Sequence, residues 1–138
     1  MFFVKDKKRN KDINLIKVAA LLIHVAKIDE NFSEIEEKII KKTLIEMGAE
    51  KDALLSILKD AKKIDENSNQ ILEFTKEVKS MNEIDKIKIL ETLWKIIYSN
   101  NEADMYETTL MRRLEGLLYI DNKTMGNIKQ RIKSKYLK

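Results

Sequence analysis

Two short acidic segments carry the side chains in this sequence that are best suited to binding chemistry. They lie at residues 29–37 and 100–107, and their oxygen-bearing side chains include Asp29, Asn31, Ser33, Glu34, Glu36, Glu37, Asn100, Glu102, Asp104 and Glu107. Calcium and magnesium bind several such oxygen atoms at about 2.0–2.6 Å. If the two segments meet in space, they predict one divalent-cation site for calcium or magnesium, with Asp29, Glu36, Asn100 and Glu107 as ligands.

The same residues can also be interpreted as helix starts. Ser33-x-x-Glu36 has the pattern of a capping box, and Asp104-x-x-Glu107 resembles a second one. Acidic side chains are also favoured at helix N-termini, because the helix macrodipole is positive there. The sequence therefore leaves two interpretations open for these residues, a cation site or two helix caps.

The first acidic segment begins like an EF-hand loop but does not continue as one. Asp29, Asn31 and Ser33 match the first three odd-numbered ligand positions. The sixth position holds Glu34 where an EF-hand needs glycine, and the twelfth holds Ile40 where it needs a bidentate glutamate. An EF-hand is therefore excluded.

Other kinds of site find little support in the sequence. There is no cysteine and only one histidine, His24, so neither a Cys-rich zinc site nor a thiolate nucleophile is available. The three glycines stand alone and form no phosphate-binding loop. We expect no enzymatic activity, and we expect His24 to be a partly buried, hydrogen-bonded structural residue.

Composition and periodicity predict an all-α protein, a compact bundle of about seven helices. The sequence has no proline, so little interrupts long helices. The predicted helices begin near residues 12, 33, 51, 68, 82, 104 and 121, and the third ends near residue 64. Most of them follow a residue that commonly caps helices: Asp12, Ser33, Ser68, Asn82, Asp104 and Asp121. Helices two and three carry apolar sets predicted to face the core: Ile35, Ile39, Ile40, Leu44 and Met47, and Leu54, Leu55, Leu58 and Ala61.

An offset of 71 residues relates two parts of the chain. Residues 22–26 align with 93–97, residues 29–33 align with 100–104, and Glu36 aligns with Glu107 without a gap. Each part consists of an apolar helix, an acidic loop, a cap and an amphipathic helix, which predicts a pseudo-repeat of two helix–loop–helix halves. The pentapeptide KIDEN also occurs twice, at 27–31 and 63–67, but outside this register. We interpret its second copy as a helix end.

Length and charge predict one domain, residues 1–138, with basic ends that we expect to be mobile at 1–11 and 133–138. The net charge of +4 is concentrated at the two ends, and the remainder is acidic, which argues against a nucleic-acid-binding domain. We find no secretory signal and no apolar stretch long enough to span a membrane. We therefore expect a soluble, cytoplasmic protein.

Three motifs resemble those of the TerB-like, tellurite-resistance-associated family. They are residues 21–29 followed by Glu36; Phe74-Thr75 after Ser68; and residues 93–100 followed by Glu107 and Arg112-Arg113. The resemblance extends from about Leu15 to Ile132. This sequence differs from the family pattern in the two loops. The family usually has Asp-Gly there, whereas this chain has Asp29-Glu30 and Asn100-Asn101.

The resemblance implies an all-helical, non-enzymatic, stress-associated binding module that binds a divalent cation at the paired acidic loops. The alternative is a metal-independent module for protein–protein interaction or assembly, with a homodimer as one form. Both imply protein partners. The aromatic residues Phe74, Trp94 and Tyr98 could line a partner groove in that case, but their helical spacing favours the core.

Overall fold

The computed structural model describes residues 15–27, 33–67, 72–99 and 105–136. Within these ranges the chain forms seven α-helices, short 3-10 segments and no β-strand. The helices are α1 (15–26), α2 (Glu34–Glu46), α3 (Leu54–Asn67), α4 (Leu72–Lys79), α5 (Glu83–Tyr98), α6 (Met105–Leu117) and α7 (Asn122–Tyr136), and the 3-10 helix Lys51–Ala53 precedes α3. The predicted all-α bundle is confirmed.

Helices α1 and α5 form the centre of the bundle. Both are buried on nearly all sides, and in α1 the run of buried residues from 18 to 23 is continuous. A helix that is apolar around its whole circumference must be enclosed by other elements. Helix α5 packs against α7 and α2, and α4 packs against α6. The core prediction for Phe74, Trp94 and Tyr98 is confirmed, because at most 3% of each is exposed.

Side-chain caps begin three of the helices where the sequence predicts them. Ser33 accepts a hydrogen bond from the backbone N–H of Glu36, and Asn82 accepts one from that of Asp85. The Asp121 carboxylate accepts one from the backbone N–H of Thr124 at 3.3 Å. The predicted caps Asp12, Ser68 and Asp104 lie outside the described residues.

The 71-residue repeat is reproduced at the ends of α2 and α6. Both helices begin and end at positions 71 residues apart, and each is followed by a residue with positive φ, 108° at Gly48 and 56° at Tyr119. Three backbone hydrogen bonds recur there in register, including Ala49 N–H to the Leu44 carbonyl and Ile120 N–H to the Glu115 carbonyl. Both ends are Schellman motifs.

The repeat extends to a third helix, beyond the two helix–loop–helix halves predicted. Buried residues of α3 and α7 correspond in the same register: Leu54, Ile57 and Ala61 with Met125, Ile128 and Ile132. The chain is therefore built from two three-helix halves, α1–α3 and α5–α7, with α4 between them.

A buried lysine supports the end of α6. Lys86 is 9% exposed, and its Nζ donates a hydrogen bond to the Leu118 carbonyl at 3.3 Å. The last carbonyls of a helix lack intrahelical donors and carry the negative end of the macrodipole. The lysine therefore supplies both a donor and a compensating charge.

Three predictions about α2 and α3 were wrong in detail. Ile35 and Leu55 were assigned to apolar core faces, but they are 60% and 74% exposed. Helix α3 continues through Asn67, three residues beyond the predicted end at Ile64, and the second KIDEN pentapeptide forms its end, as interpreted. Asp65, in this extension, contacts His24 of α1 and Lys27 just after α1.

Candidate functional site

The N-terminus of α2 contains the best-defined part of the predicted cation site. Ser33 donates two hydrogen bonds to Glu36 Oε1, from its backbone N–H at 3.0 Å and from its hydroxyl at 2.9 Å. The Glu36 backbone N–H donates in return to Ser33 Oγ at 3.2 Å. The capping box is therefore confirmed, and it fixes the position of the Glu36 carboxylate.

The second carboxylate oxygen of Glu36 is left unused by the cap. Glu36 is only 1% exposed, and its Oε2 has no hydrogen-bond partner among the described residues. A buried carboxylate oxygen is costly unless a donor or a cation compensates for the lost water. Among the described residues, the helix cap therefore accounts for one of the two carboxylate oxygens and for no contact of the other.

The side chains of the other three predicted ligands lie outside the described residues. Asp29 and Asn100 lie outside the described residues, and so does the side chain of Glu107. The backbone does place Glu107 at the third position of α6, which is the position that Glu36 occupies in α2. The four-residue cation site stays a prediction.

His24 has the structural role that the sequence indicates. Its Nδ1 lies 3.0 Å from Asp65 Oδ1, and Lys27 Nζ lies 3.4 Å from the other oxygen of the same carboxylate. The Asp65 side chain is 7% exposed, so both of these partners compensate for its burial. In the part of the chain that is described, no group of three or more histidine, aspartate or glutamate side chains is arranged to hold a metal ion.

A second candidate site lies where α5, α6 and α7 meet. A cavity of about 220 Å³ opens there, lined by eight residues: Trp94, Met111, Arg112, Glu115, Asn122, Met125, Gly126 and Lys129. The Trp94 ring stacks on Tyr98 with 5.7 Å between ring centroids. Sequence reasoning placed Trp94 in the core but did not identify the cavity, because a glycine and a lysine on α7 carry no signal of a shared site.

Burial shifts the pKa of two groups on α5. It raises the pKa of the Tyr98 phenol. It also lowers the pKa of Lys95, an effect that Glu91 opposes and that Lys135, Lys42 and Lys88 reinforce. Tyr98 therefore remains a neutral phenol near neutral pH.

None of the helices in the described ranges is both long and apolar enough to cross a bilayer. This agrees with the lack of a membrane-spanning stretch in the sequence.

Comparison with known proteins identifies the family. The family described as "Tellurite resistance protein TerB" matches residues 15–130, which includes all seven helices apart from the end of α7. No curated protein and no solved structure gives a significant match. Because the family match covers most of the sequence, this chain belongs to the TerB family of tellurite resistance proteins.

Proposed function

We propose that this protein is a non-enzymatic, stress-associated binding module of the cytoplasm that binds calcium or magnesium beside the N-terminus of α2. Glu36 is the proposed central ligand, and Asp29, Asn100 and Glu107 complete the site. A cytoplasmic role is compatible with a sequence that has no cysteine and therefore needs no disulfide bonds.

The observation that carries this proposal is the buried Oε2 of Glu36, which has no hydrogen-bond partner among the residues that the structure describes. A charge removed from water is retained in a fold when an opposite charge or a hydrogen-bond donor compensates for it. The capping box orients the carboxylate through Oε1, so Oε2 can bind a cation without disturbing the helix start. The donor set, carboxylate and amide oxygens, is the kind that calcium and magnesium prefer.

The repeat gives the proposed site its mechanism. Glu36 and Glu107 occupy equivalent positions at the starts of α2 and α6, one in each three-helix half. A cation bound by both halves would fix their relative positions, and a surface elsewhere would then be presented to a protein partner. Binding would also stabilise the fold in proportion to the logarithm of the cation concentration.

Isothermal titration calorimetry tests the proposal directly. We would titrate calcium, and separately magnesium, into chelator-treated protein and into the variants Glu36→Gln, Asp29→Ala and Glu107→Gln. Glu36→Gln retains an oxygen that can accept the Ser33 hydrogen bonds, but it removes the charge. We expect saturable binding to the unmodified protein and a loss of at least about tenfold in affinity in each variant.

Glu34→Gln is the matched control. Glu34 is an exposed acid in the same helical turn, so this variant removes the same charge from the same helix start. It should bind the cation nearly as well as the unmodified protein. Absence of saturable heat at millimolar cation, or equal losses in Glu34→Gln and Glu36→Gln, would leave Glu36 as a helix cap only.

The alternative function is a metal-independent interaction module. Exposed large apolar side chains support it, with Leu55 at 74% and Ile84 at 78% exposure. Such side chains stabilise interfaces when a partner or a second copy covers them. Sedimentation analysis over a range of concentrations, in chelator, would detect a homodimer. A dimer that Ile84→Glu or Leu55→Glu dissociates would favour this function over cation binding.

A further inference from the structure

The cavity between α5, α6 and α7 has a mixed lining that suits a small ligand. Its wall includes the buried side chains of Met111 and Met125, which are 1% and 4% exposed, and the ring of Trp94. Its other residues include two cations and a glycine. An apolar surface with a few polar groups converging on it is the usual composition of a ligand site.

The indole N–H of Trp94 is a hydrogen-bond donor without an acceptor. Trp94 is 2% exposed, and its Nε1 has no hydrogen-bond partner in the described residues. A buried tryptophan usually finds a partner for this group, because burying an unpaired donor is unfavourable. Trp94 is also one of the residues that line the cavity.

The charges around the cavity favour an anion. Lys129 Nζ lies 5.3 Å from the centroid of the Trp94 ring, and Arg112 also lines the cavity. Glu115 is the single acid in the lining, so cations outnumber anions by two to one. A carboxylate can accept from the indole N–H and pair with the two cations at the same time.

Gly126 keeps the cavity open. It lies inside α7, and a Cβ built on it would have no heavy atom within 4 Å. Glycine destabilises a helix interior relative to alanine, so local helix stability does not explain it. Its lack of a side chain does leave space beside Trp94 and Lys129.

The other half of the repeat differs at these positions. The residues 71 positions before Trp94, Gly126 and Lys129 are Ile23, Leu55 and Leu58, all apolar. Ile23 and Leu58 are fully packed in the core, at 0% and 2% exposure. The indole donor, the cation and the open space are therefore specific to the second half, and core packing of the fold does not require them.

We propose that this cavity binds a small organic carboxylate with an apolar body. The carboxylate pairs with Arg112 and Lys129 and accepts the Trp94 indole N–H, and the apolar body packs against Met111 and Met125. The cavity volume of about 220 Å³ lies below the roughly 300–1,000 Å³ of pockets that hold drug-sized ligands, which suits a compact organic acid.

The single tryptophan of the sequence gives a direct measurement. In a ¹H–¹⁵N NMR spectrum it contributes one indole resonance, which reports on the acceptor at Trp94 Nε1. We would titrate benzoate at constant ionic strength and in chelator, so that cation binding at Glu36 cannot contribute. We expect a saturable downfield shift of this resonance at millimolar benzoate. Benzyl alcohol, which has a similar size but no charge, should cause little change.

Two variants with matched controls test the location of the site. Gly126→Leu fills the cavity without a clash of its Cβ and should abolish the shift, whereas Gly116→Leu, also at an open helical position but outside the lining, should not. Arg112→Gln should weaken benzoate binding roughly fivefold, whereas its exposed neighbour Arg113→Gln should leave it nearly unchanged.

Three results would overturn the proposal. They are the absence of a saturable shift at tens of millimolar benzoate, an equal response to benzyl alcohol, and a shift that persists in a folded Gly126→Leu protein. Because the spectrum also shows whether each variant is folded, a variant that unfolds is recognised at once. In that case the proposal is tested by comparing the benzoate affinity of Arg112→Gln with that of Arg113→Gln.

Discussion

The hydroxyl oxygens of Thr43 on α2 and Thr92 on α5 lie 2.8 Å apart in the core of the bundle. Thr92 also donates its own hydroxyl proton to the Lys88 carbonyl at 2.9 Å. Since a hydroxyl has one proton to donate, Thr43 must donate to Thr92. The two side chains are 4% and 1% exposed, so this pair joins α2 to α5 through an ordered chain of buried hydrogen bonds.

Replacing the two threonines singly should have unequal effects. Thr92→Val removes the acceptor and leaves the Thr43 hydroxyl buried without its partner, which should cost about 1–3 kcal/mol of unfolding free energy. Thr43→Val should cost less, because the Thr92 hydroxyl still donates to Lys88. Urea denaturation of both variants would measure the difference. Equal losses of unfolding free energy in the two variants would contradict donation from Thr43 to Thr92.

The double variant is the control for this pair. Thr43→Val/Thr92→Val removes both hydroxyls, so its loss should be smaller than the sum of the two single losses. The positions 71 residues away support this expectation, since Leu114 and Leu21 are both 0% exposed and carry no polar group. Additive losses would show that the two hydroxyls act independently.

The Ser33 cap should make a measurable contribution to stability. Ser33→Ala removes the acceptor for the Glu36 N–H and one donor to the Glu36 carboxylate, and it should cost about 1 kcal/mol. Ser134→Ala is the control, because Ser134 is an exposed serine inside α7 that bonds only its own helix. Chemical denaturation would compare the two. A loss in Ser134→Ala as large as that in Ser33→Ala would argue against the cap.

Two glycine-to-alanine substitutions should change stability in opposite directions. Gly48 has φ of 108°, where a Cβ is unfavourable, so Gly48→Ala should cost about 1–2 kcal/mol. Gly116 lies inside α6 with open space around it, so Gly116→Ala should add about 0.5–1 kcal/mol. Thermal and urea unfolding would give both values. A stabilising Gly48→Ala would contradict the Schellman end of α2.

Asp121 should make stability depend on acidic pH. Hydrogen bonds from the Thr124 side chain and backbone lower the pKa of Asp121 below its ordinary value of 3.8. Since the folded pKa is the lower one, the carboxylate stabilises the fold above pH 3.8, and this contribution is lost as the pH falls through the folded pKa. The stability difference between the unmodified protein and Asp121→Asn should therefore shrink in acid.

Asparagine also caps helices well, so Asp121→Asn changes the charge and keeps the cap. Asp60→Asn, at an exposed position inside α3, is the control for a change of charge alone. Unfolding free energies measured by urea denaturation at a series of pH values would test this. A difference between the unmodified protein and Asp121→Asn that stays constant down to strong acid would contradict the prediction.

Much of the architecture could be predicted because its causes are local in sequence. Ser33, Asn82 and Asp121 cap helices through backbone groups only three residues away. The positive φ of Gly48 is likewise a local property, and it ends α2. Interactions of this kind depend on short spacings that a sequence shows directly. The 71-residue register was visible for the same reason, since each half repeats the same local signals.

The details that were wrong or missed depend on neighbours far along the chain. Leu55 fits a helical apolar stripe, but no helix in the described residues covers it, and it is 74% exposed. The part of α3 beyond its predicted end includes Asp65, which contacts His24 and Lys27 much earlier in the chain. The sequence shows the periodicity of a helix but not which partner covers each side of it.

The sequence by itself determined the helical class, the caps, the repeat and the family of this protein, because these follow from composition, spacing and motif. Only the tertiary structure decided which buried polar atoms have no partner among the described residues. Glu36 Oε2 and Trp94 Nε1 are ordinary side-chain atoms in the sequence, and both become candidate binding groups once packing removes them from water. Burial is set by the whole bundle, and so the functional hypotheses depend on its three-dimensional packing.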